Sequence, residues 1–433
     1  MKIWQKTNTN TSEKIENFTV GQDRVFDTLL AQYDVQASLA HIEMLERVGL
    51  LTEEEHHSLK EGLQHILAEI GAGIFSISLD SEDIHSQIEE ILTERVGEAG
   101  KKIHTGRSRN DQVAVDIKLY LKDELNVIKD DCLQLFKQLL FLSEKHKNDL
   151  MPGYTHLQVA MPSSFGLWFA AYAESLVDDM SLLKTAYHIT DKNPLGSGAG
   201  YGSSFPIDRT RTTELLGFSE LHYNSIYAQM SRGKTEKFVA IAMSSIAATL
   251  SKLSMDVCLF MNQNHRFVSF PDHLTTGSSI MPHKKNPDVF ELIRGKCNRL
   301  QALPNELTLL CNNLPSGYHR EMQLTKEILF PAIQELKSCI EMMQLMLCEI
   351  VVSKDVLNEE KYKYIFTVEK INQLVNNGIS FRDAYRQVGD EVDAGLFHFK
   401  PKELQHSHEG SIGNLCNDAI ENMMKEIIRS WTK

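Results

Sequence analysis

Four stretches of this 433-residue chain concentrate polar side chains that neither helix nor strand building requires. Loop residues of that kind commonly bind or react. The densest stretch is Thr275-Thr276-Gly277-Ser278-Ser279-Ile280-Met281-Pro282-His283-Lys284-Lys285-Asn286-Pro287, with Glu291 just beyond it. Adjacent hydroxyls, two lysines and a helix N-cap in one loop are of little use to a purely structural turn. A second stretch, His104-Thr105-Gly106-Arg107-Ser108-Arg109-Asn110-Asp111-Gln112, sets two arginines, a serine and an asparagine before a helical pattern. The unpaired N–H groups at a helix start suit an anion, and arginine forks add bidentate carboxylate recognition. In the third, Thr155 and Gln158 flank His156-Leu157; the two polar groups can hydrogen-bond a ligand, and His156 can move protons near neutral pH. The fourth is Gly196-Ser197-Gly198-Ala199-Gly200-Tyr201-Gly202. It follows a helical pattern rather than a strand, so it fails the context of a dinucleotide loop and reads as a flexible turn or as backbone approaching a ligand.

The elements that must position these stretches are helical almost throughout. Leu30, Tyr33, Ala37, Ala40 and Met44 form one stripe. Thr52 and Glu55 make a capping box before Leu59, Leu63, Ile66 and Ile70, and Gly71 and Gly73 end that helix. Val113, Ile117, Leu121, Leu125, Ile128, Cys132, Leu135, Leu139 and Leu142 predict one very long rod. A second rod runs from Phe165 to Tyr187, and a third, rich in small residues, from Phe238 to Phe260. A fourth starts with Asn286 as N-cap and Pro287 in the first turn. A fifth covers Leu324 to Val351, with Pro331 expected to end or kink its first turn. The reading is all-α, a bundle of long helices with smaller helical domains on either side: 1–107, 108–352 and 353–433. Stripes this long, apolar beyond one face, suggest that bundles from several chains pack together.

Composition narrows the partners. Lys+Arg 45 against Asp+Glu 58 gives a net charge of -13, which argues against nucleic acid or an anionic membrane as the main partner. No apolar core region opens the chain and no apolar run reaches bilayer-spanning length, so a cytoplasmic location is expected. The 7 cysteines are scattered without a CxxC pair and read as reduced thiols; neither a metal nor a cofactor is expected.

Gly277-Ser278-Ser279-Ile280-Met281-Pro282-x-Lys284-x-Asn286-Pro287 resembles the signature loop of the fumarase/aspartase superfamily. The stretches from His104 to Gln112 and from Thr155 to Gln158 look like that superfamily's other two conserved regions. Further matches are Glu82-Asp83-Ile84-His85, the spacing of Tyr318, Arg320, Gln323 and Lys326, and Gly378-Ile379-Ser380-Phe381-Arg382-Asp383-Ala384. The resemblance implies β-elimination with release of fumarate from a small-molecule substrate, without a cofactor. The Arg107-Ser108-Arg109-Asn110-Asp111 run favours the branch acting on a succinylated guanidino compound, whereas His283 is the form found in the branch acting on a succinylated nucleotide. By resemblance Ser278 is the candidate base, with Ser279 beside it as the alternative; His156 serves the leaving nitrogen or activates the site, Lys284 stabilises the developing anion and Glu291 orients His156. His85, Arg107, Ser108, Arg109, Asn110, Thr155, Ser279, Asn286, Tyr318, Arg320, Gln323 and Lys326 are carried over as substrate-binding residues. The family builds each site from several chains of a homotetramer, so that assembly is expected here. Two positions depart from the family pattern: the opening Ile3-Trp4-Gln5-Lys6, and Thr19 to Asp23, where the usual serine is missing.

Overall fold

The computed structural model describes residues 12–78, 81–400, 404 and 406–432; the opening Ile3-Trp4-Gln5-Lys6 lies outside them. The first helices are α1 (Glu13–Val20), α2 (Asp23–Arg47), α3 (Glu53–Gly71) and α4 (Ile84–Val96). The capping box at Thr52 and Glu55 is present, its two reciprocal bonds satisfying orphan donors at the start of α3. Ala31, Val35, Ile42, Leu45, Leu59, Leu63, Ile66, Ile84, Ile88 and Leu92 interlock between α2, α3 and α4 as a separate apolar cluster.

The long rod is α5 (Arg109–Lys145), whose 37 residues span about 55 Å at about 1.5 Å per residue. A hairpin of β1 (Leu150–Thr155) and β2 (Gln158–Ser164) then leads into α6 (Phe165–Thr190). Next come β3 (Lys192–Asn193), α7 (Arg209–Leu215), β4 (Glu220–Leu221), α8 (Ser225–Met230), α9 (Lys234–Met261) and β5 (Val268–Ser269). Ala240, Ala242 and Ala247 on α9 are fully buried, as close helix packing against α6 and its other neighbours demands. By length and composition α9 could cross a bilayer, contrary to the reading that no run was apolar enough. Its packing against α6, α10, α11 and α12 accounts for much of that apolarity.

The fourth rod is two helices, α10 (Asp288–Leu300) and α11 (Leu303–Leu310). Pro304 lies in the first turn of α11; its ring cannot donate and would clash with the Leu300 carbonyl had the helix continued. The start of α10 also differs from expectation, because Pro287 is the N-cap and Asn286 turns its side chain back to the loop. The fifth rod, α12 (Thr325–Cys348), runs through Pro331 without ending. Phe330 and Ile333 on either side are buried to 1% and 0% exposure, and their packing outweighs the roughly 3 kcal/mol that an interior proline costs. The chain continues through β6 (Val351–Val352), which pairs with β5, to α13 (Thr367–Asn376), α14 (Phe381–Asp393) and α15 (Asn417–Arg429). Their apolar residues join the bundle core.

The rods have two distinguishable ends. At the first, Lys118 Nζ near the start of α5 donates to Thr190 O at the end of α6 and to Thr235 Oγ1 at the start of α9. Arg232 Nη2 there donates to Met322 O, just before α12. At the second, the ring of Tyr154 in the hairpin meets those of His265 and Phe267, just beyond α9.

Candidate active site

The polar residues singled out in the sequence divide between these two ends. At the first end, Ser108 caps α5 and Asp111 completes a capping box with it. The other oxygen of Asp111 accepts from Gly196 N and Gly198 N, both at 2.9 Å. The glycine-rich segment therefore approaches a carboxylate of its own chain. Its four glycines, with φ between 60° and 102°, adopt the left-handed conformations that glycine tolerates best. Burial pushes the Asp111 carboxyl up to about 6, against four stabilising influences from the backbone and Arg107.

Arg109, Asn110, Tyr318, Arg320 and Gln323 line one cleft of about 240 Å³ together with Val20, Asp23, Asp27, Glu82, Asp83 and Val113. Arg109 Nη1 pairs with Glu82 and Asp83 at 3.2 and 3.0 Å, and Nη2 donates to Ser86 Oγ at 2.7 Å. Gln323 Nε2 donates to the carbonyls of Thr19 and Val20, while Arg320 pairs with Glu82 at 3.6 Å. Lys326 is buried beneath the cleft and bridges Asp23 and Asp27. Burial alone would lower its pKa, but the two carboxylates more than reverse this. Asp23 and Asp27 were not among the sequence candidates. Their signal was the i, i+4 acidic pair opening α2, which passes for ordinary helix-start charge.

Two candidates of this end do not line the cleft. Arg107 is buried, donating to Ser38 Oγ at 3.0 Å. His85 is buried too, its Nδ1 2.8 Å from Asp34 Oδ1 and 3.8 Å from Asp116 Oδ2. Burial alone would lower the His85 pKa, yet Asp34, Asp83 and Asp116 raise it to about 9. Asp34, His85 and Asp116 lie close enough to share a metal ion. The Arg107 guanidinium acts on the same two carboxylates, and with His85 it holds the Asp34 carboxyl below its ordinary value, whereas burial and the neighbouring Asp34 still push the Asp116 carboxyl well up.

At the second end, Thr155 and Gln158 pair across the hairpin, and His156 and Leu157 form its exposed two-residue tip with φ of 54° and 60°. Two non-glycine residues in the left-handed region cost about 1–2 kcal/mol each. Such strain persists where the surroundings impose it, commonly at functional turns. The signature loop projects from the same end. Its neck is closed by an antiparallel bridge between Thr276 and Asn286, and the Asn286 amide donates to Gly277 O at 3.3 Å. Inside it, Ser278 Oγ accepts from Met281 N at 3.1 Å and Ile280 N at 3.4 Å. The Lys284 ammonium meets Asn286 Oδ1, Ser279 is exposed, and Glu291 is exposed in the first turn of α10. Among the described residues no hydrogen bond joins Glu291 to His156.

A family profile described as Lyase matches residues 6–302. The EDDS lyase structure solved in complex with formate shares the fold, with a TM-score of 0.78 at 21% identity, covering 98% of this chain and 92% of that one. Fold and profile together define a lyase of the fumarase/aspartase superfamily. Argininosuccinate lyase of Bacteroides thetaiotaomicron is 55% identical over 427 residues, covering 99% of this chain and 95% of the relative. That of Thermotoga neapolitana is 40% identical over 390 residues, covering 90% and 98%. The chain belongs to the argininosuccinate lyase family.

Proposed function

We propose that this protein splits argininosuccinate into arginine and fumarate by β-elimination, working in the cytoplasm as a homotetramer. The observation that carries the activity is the 55% identity held over 99% of the chain with a protein of that name. The reaction removes a proton from the succinyl carbon next to a carboxylate, then breaks the bond to the guanidino nitrogen, which leaves protonated as arginine. The first step is hard because the carbon acid is weak, so stabilising the doubly negative aci-carboxylate is the largest catalytic contribution.

Ser278 takes the carbon proton. A serine is a competent base only as a stabilised alkoxide, and the N–H groups of Met281 and Ile280 aimed at its oxygen supply part of that stabilisation. Lys284 holds the aci-carboxylate, His156 delivers the proton to the leaving nitrogen, and Glu291 orients His156. Thr155, Ser279 and Asn286 bind the succinyl part. Ser108, Arg109, Asn110, Tyr318, Arg320 and Gln323 bind the amino-acid part, with Lys326 below them. His85 and Arg107 act from beneath, holding the cleft walls.

The geometry supports association. One set of residues sits at the start of α5 and the other beyond its end, roughly 55 Å away along the helix, so one chain cannot close a single site. Antiparallel packing of a second and third chain brings the two kinds of end together. Exposed Leu157, Ile280, Leu292 and Leu309 then become buried, which favours the assembly.

The test is fumarate release, followed by ultraviolet absorbance, from purified protein given argininosuccinate or adenylosuccinate in parallel. Turnover of argininosuccinate alone is expected. Turnover of adenylosuccinate alone, or of neither by a folded assembly, overturns the proposal.

A further inference from the structure

A group of buried side chains converges between three helices. Asp34 comes from α2, His85 from α4 and Asp116 from α5, with exposures of 1%, 5% and 0%. His85 Nδ1 stands 2.8 Å from Asp34 Oδ1 and 3.8 Å from Asp116 Oδ2, and one ligand atom from each residue lies within 4.8 Å of the other two. Gln112, one turn before Asp116 on α5, joins them: it is 2% exposed, and its Nε2 reaches Asp34 Oδ1 only at 3.5 Å. Among the described residues this group is short of partners. Both oxygens of Asp116, Oδ2 of Asp34 and Oε1 of Gln112 are buried without a hydrogen bond. Buried polar atoms are nearly always bonded, so an acid with neither oxygen bonded points to a species that the side chains do not themselves supply.

The donor set says which kind. Unbonded oxygens of two carboxylates and an amide, beside an imidazole nitrogen, suit a cation rather than an anion or an apolar group. Of the other charges acting here, Asp83 is engaged by Arg109 and Asp27 by Lys326. With the imidazole neutral, the Arg107 guanidinium alone faces the two carboxylates, and a buried negative charge calls for a partner or a metal. We propose that Asp34, His85 Nδ1 and Asp116 bind a divalent cation of the zinc class, with Gln112 Oε1 as a fourth ligand. Turning the Gln112 amide over exchanges its oxygen and nitrogen and brings that oxygen to the ion. Binding sends the Nδ1 proton of His85 to solvent as the ion takes its place. The ion ties α2, α4 and α5 together, and because its ligands come from three separate helices no motif spacing marks it. The activity proposed above plays no part in this inference. The alternative occupant is water, hydrogen-bonded to the same oxygens.

Metal content separates the two. The full-length protein is produced in zinc-supplemented medium, so that the ion enters during folding, and surface metal is removed with EDTA. Elemental analysis should then find about one zinc per chain, and the Tm should exceed that of protein from zinc-depleted medium. Asp116→Asn should retain less than about a tenth of the zinc, since even the partners of metal ligands are worth about tenfold or more in affinity. His406→Gln, which alters the histidine–carboxylate pair with Glu369, should retain all of it. X-ray absorption at the zinc edge of wild type needs no variant and serves if Asp116→Asn does not fold: it should show one imidazole in a shell otherwise of oxygen. Zinc absent from EDTA-treated wild type, zinc retained equally by Asp116→Asn, or a shell containing sulfur or a second imidazole overturns the assignment.

Discussion

Raising the pH should strip this fold of stability that a His85→Gln variant never had. His85 lies between Asp34 and Asp116 in a closed interior, where the carboxylates raise its pKa from 6.5 to about 9. At about 1.4 kcal/mol per tenfold change in proton affinity, that is worth about 3 kcal/mol. Because the folded chain holds the proton more tightly than the unfolded one, the contribution is complete below pH 6.5. It is lost as pH climbs through about 9. Lys118 works in the opposite direction: burial lowers its pKa to about 8, so its contribution grows between about pH 8 and 10.5. The raw pH profile of wild type mixes the two, but Lys118 cancels in the difference between wild type and His85→Gln. Guanidinium denaturation at one protein concentration, followed by far-ultraviolet circular dichroism at pH 6 and pH 10, reads that difference. It should shrink across the range by at most about 3 kcal/mol per chain, because the Asp116 carboxyl, already pushed up by burial and held down by His85, is raised further in the variant. Parallel profiles for the two proteins, or a gap that widens with pH, would refute the charged His85 between two acids.

Three further outcomes follow from the geometry. Ser278→Ala should abolish turnover of argininosuccinate while leaving its affinity within about twofold, as expected for a group acting mainly in the transition state; near-normal turnover in a steady-state assay would remove Ser278 as the base. Mixing inactive Ser278→Ala with inactive Asn110→Ala under conditions that exchange subunits should restore a measurable fraction of activity, since each variant supplies the end that the other lacks. Continued silence from the mixed assemblies would contradict the proposed shared site. Asp111→Ala removes the α5 capping box and strands Gly196 N and Gly198 N, a loss of about 3 kcal/mol. Thermal unfolding should show it as a lower Tm, and an unchanged Tm would mean the glycine segment is held by other contacts.

The sequence by itself determined the rods, because a stripe of apolar residues at helical spacing has few other uses. Leu121, Leu125, Ile128 and Cys132 are buried on α5 as their spacing demands, and the Thr52–Glu55 box closes as written. It also singled out the candidate segments, since loops such as Thr275 to Pro287 carry groups that packing does not explain. Local rules failed where distant atoms took part. Pro331 stays within α12 because neighbouring core contacts outweigh its missing donor, and Asn286 abandons its cap to close the signature loop. Gly196 to Gly202 reads locally as a flexible turn, and only folding brings the Asp111 carboxylate, 85 positions earlier than Gly196, under its N–H groups. His85 and Arg107 look like binding residues in one dimension and prove to be buried counter-charges. Asp23 looks like helix-start charge and proves to line the cleft. The separation of the candidate residues to the two ends of α5 is likewise invisible in the sequence, because direction and distance exist only once the rods are packed. Spacing along a chain encodes which face a residue occupies, while the opposing groups that set its charge, burial and role come from remote segments that only tertiary packing brings near.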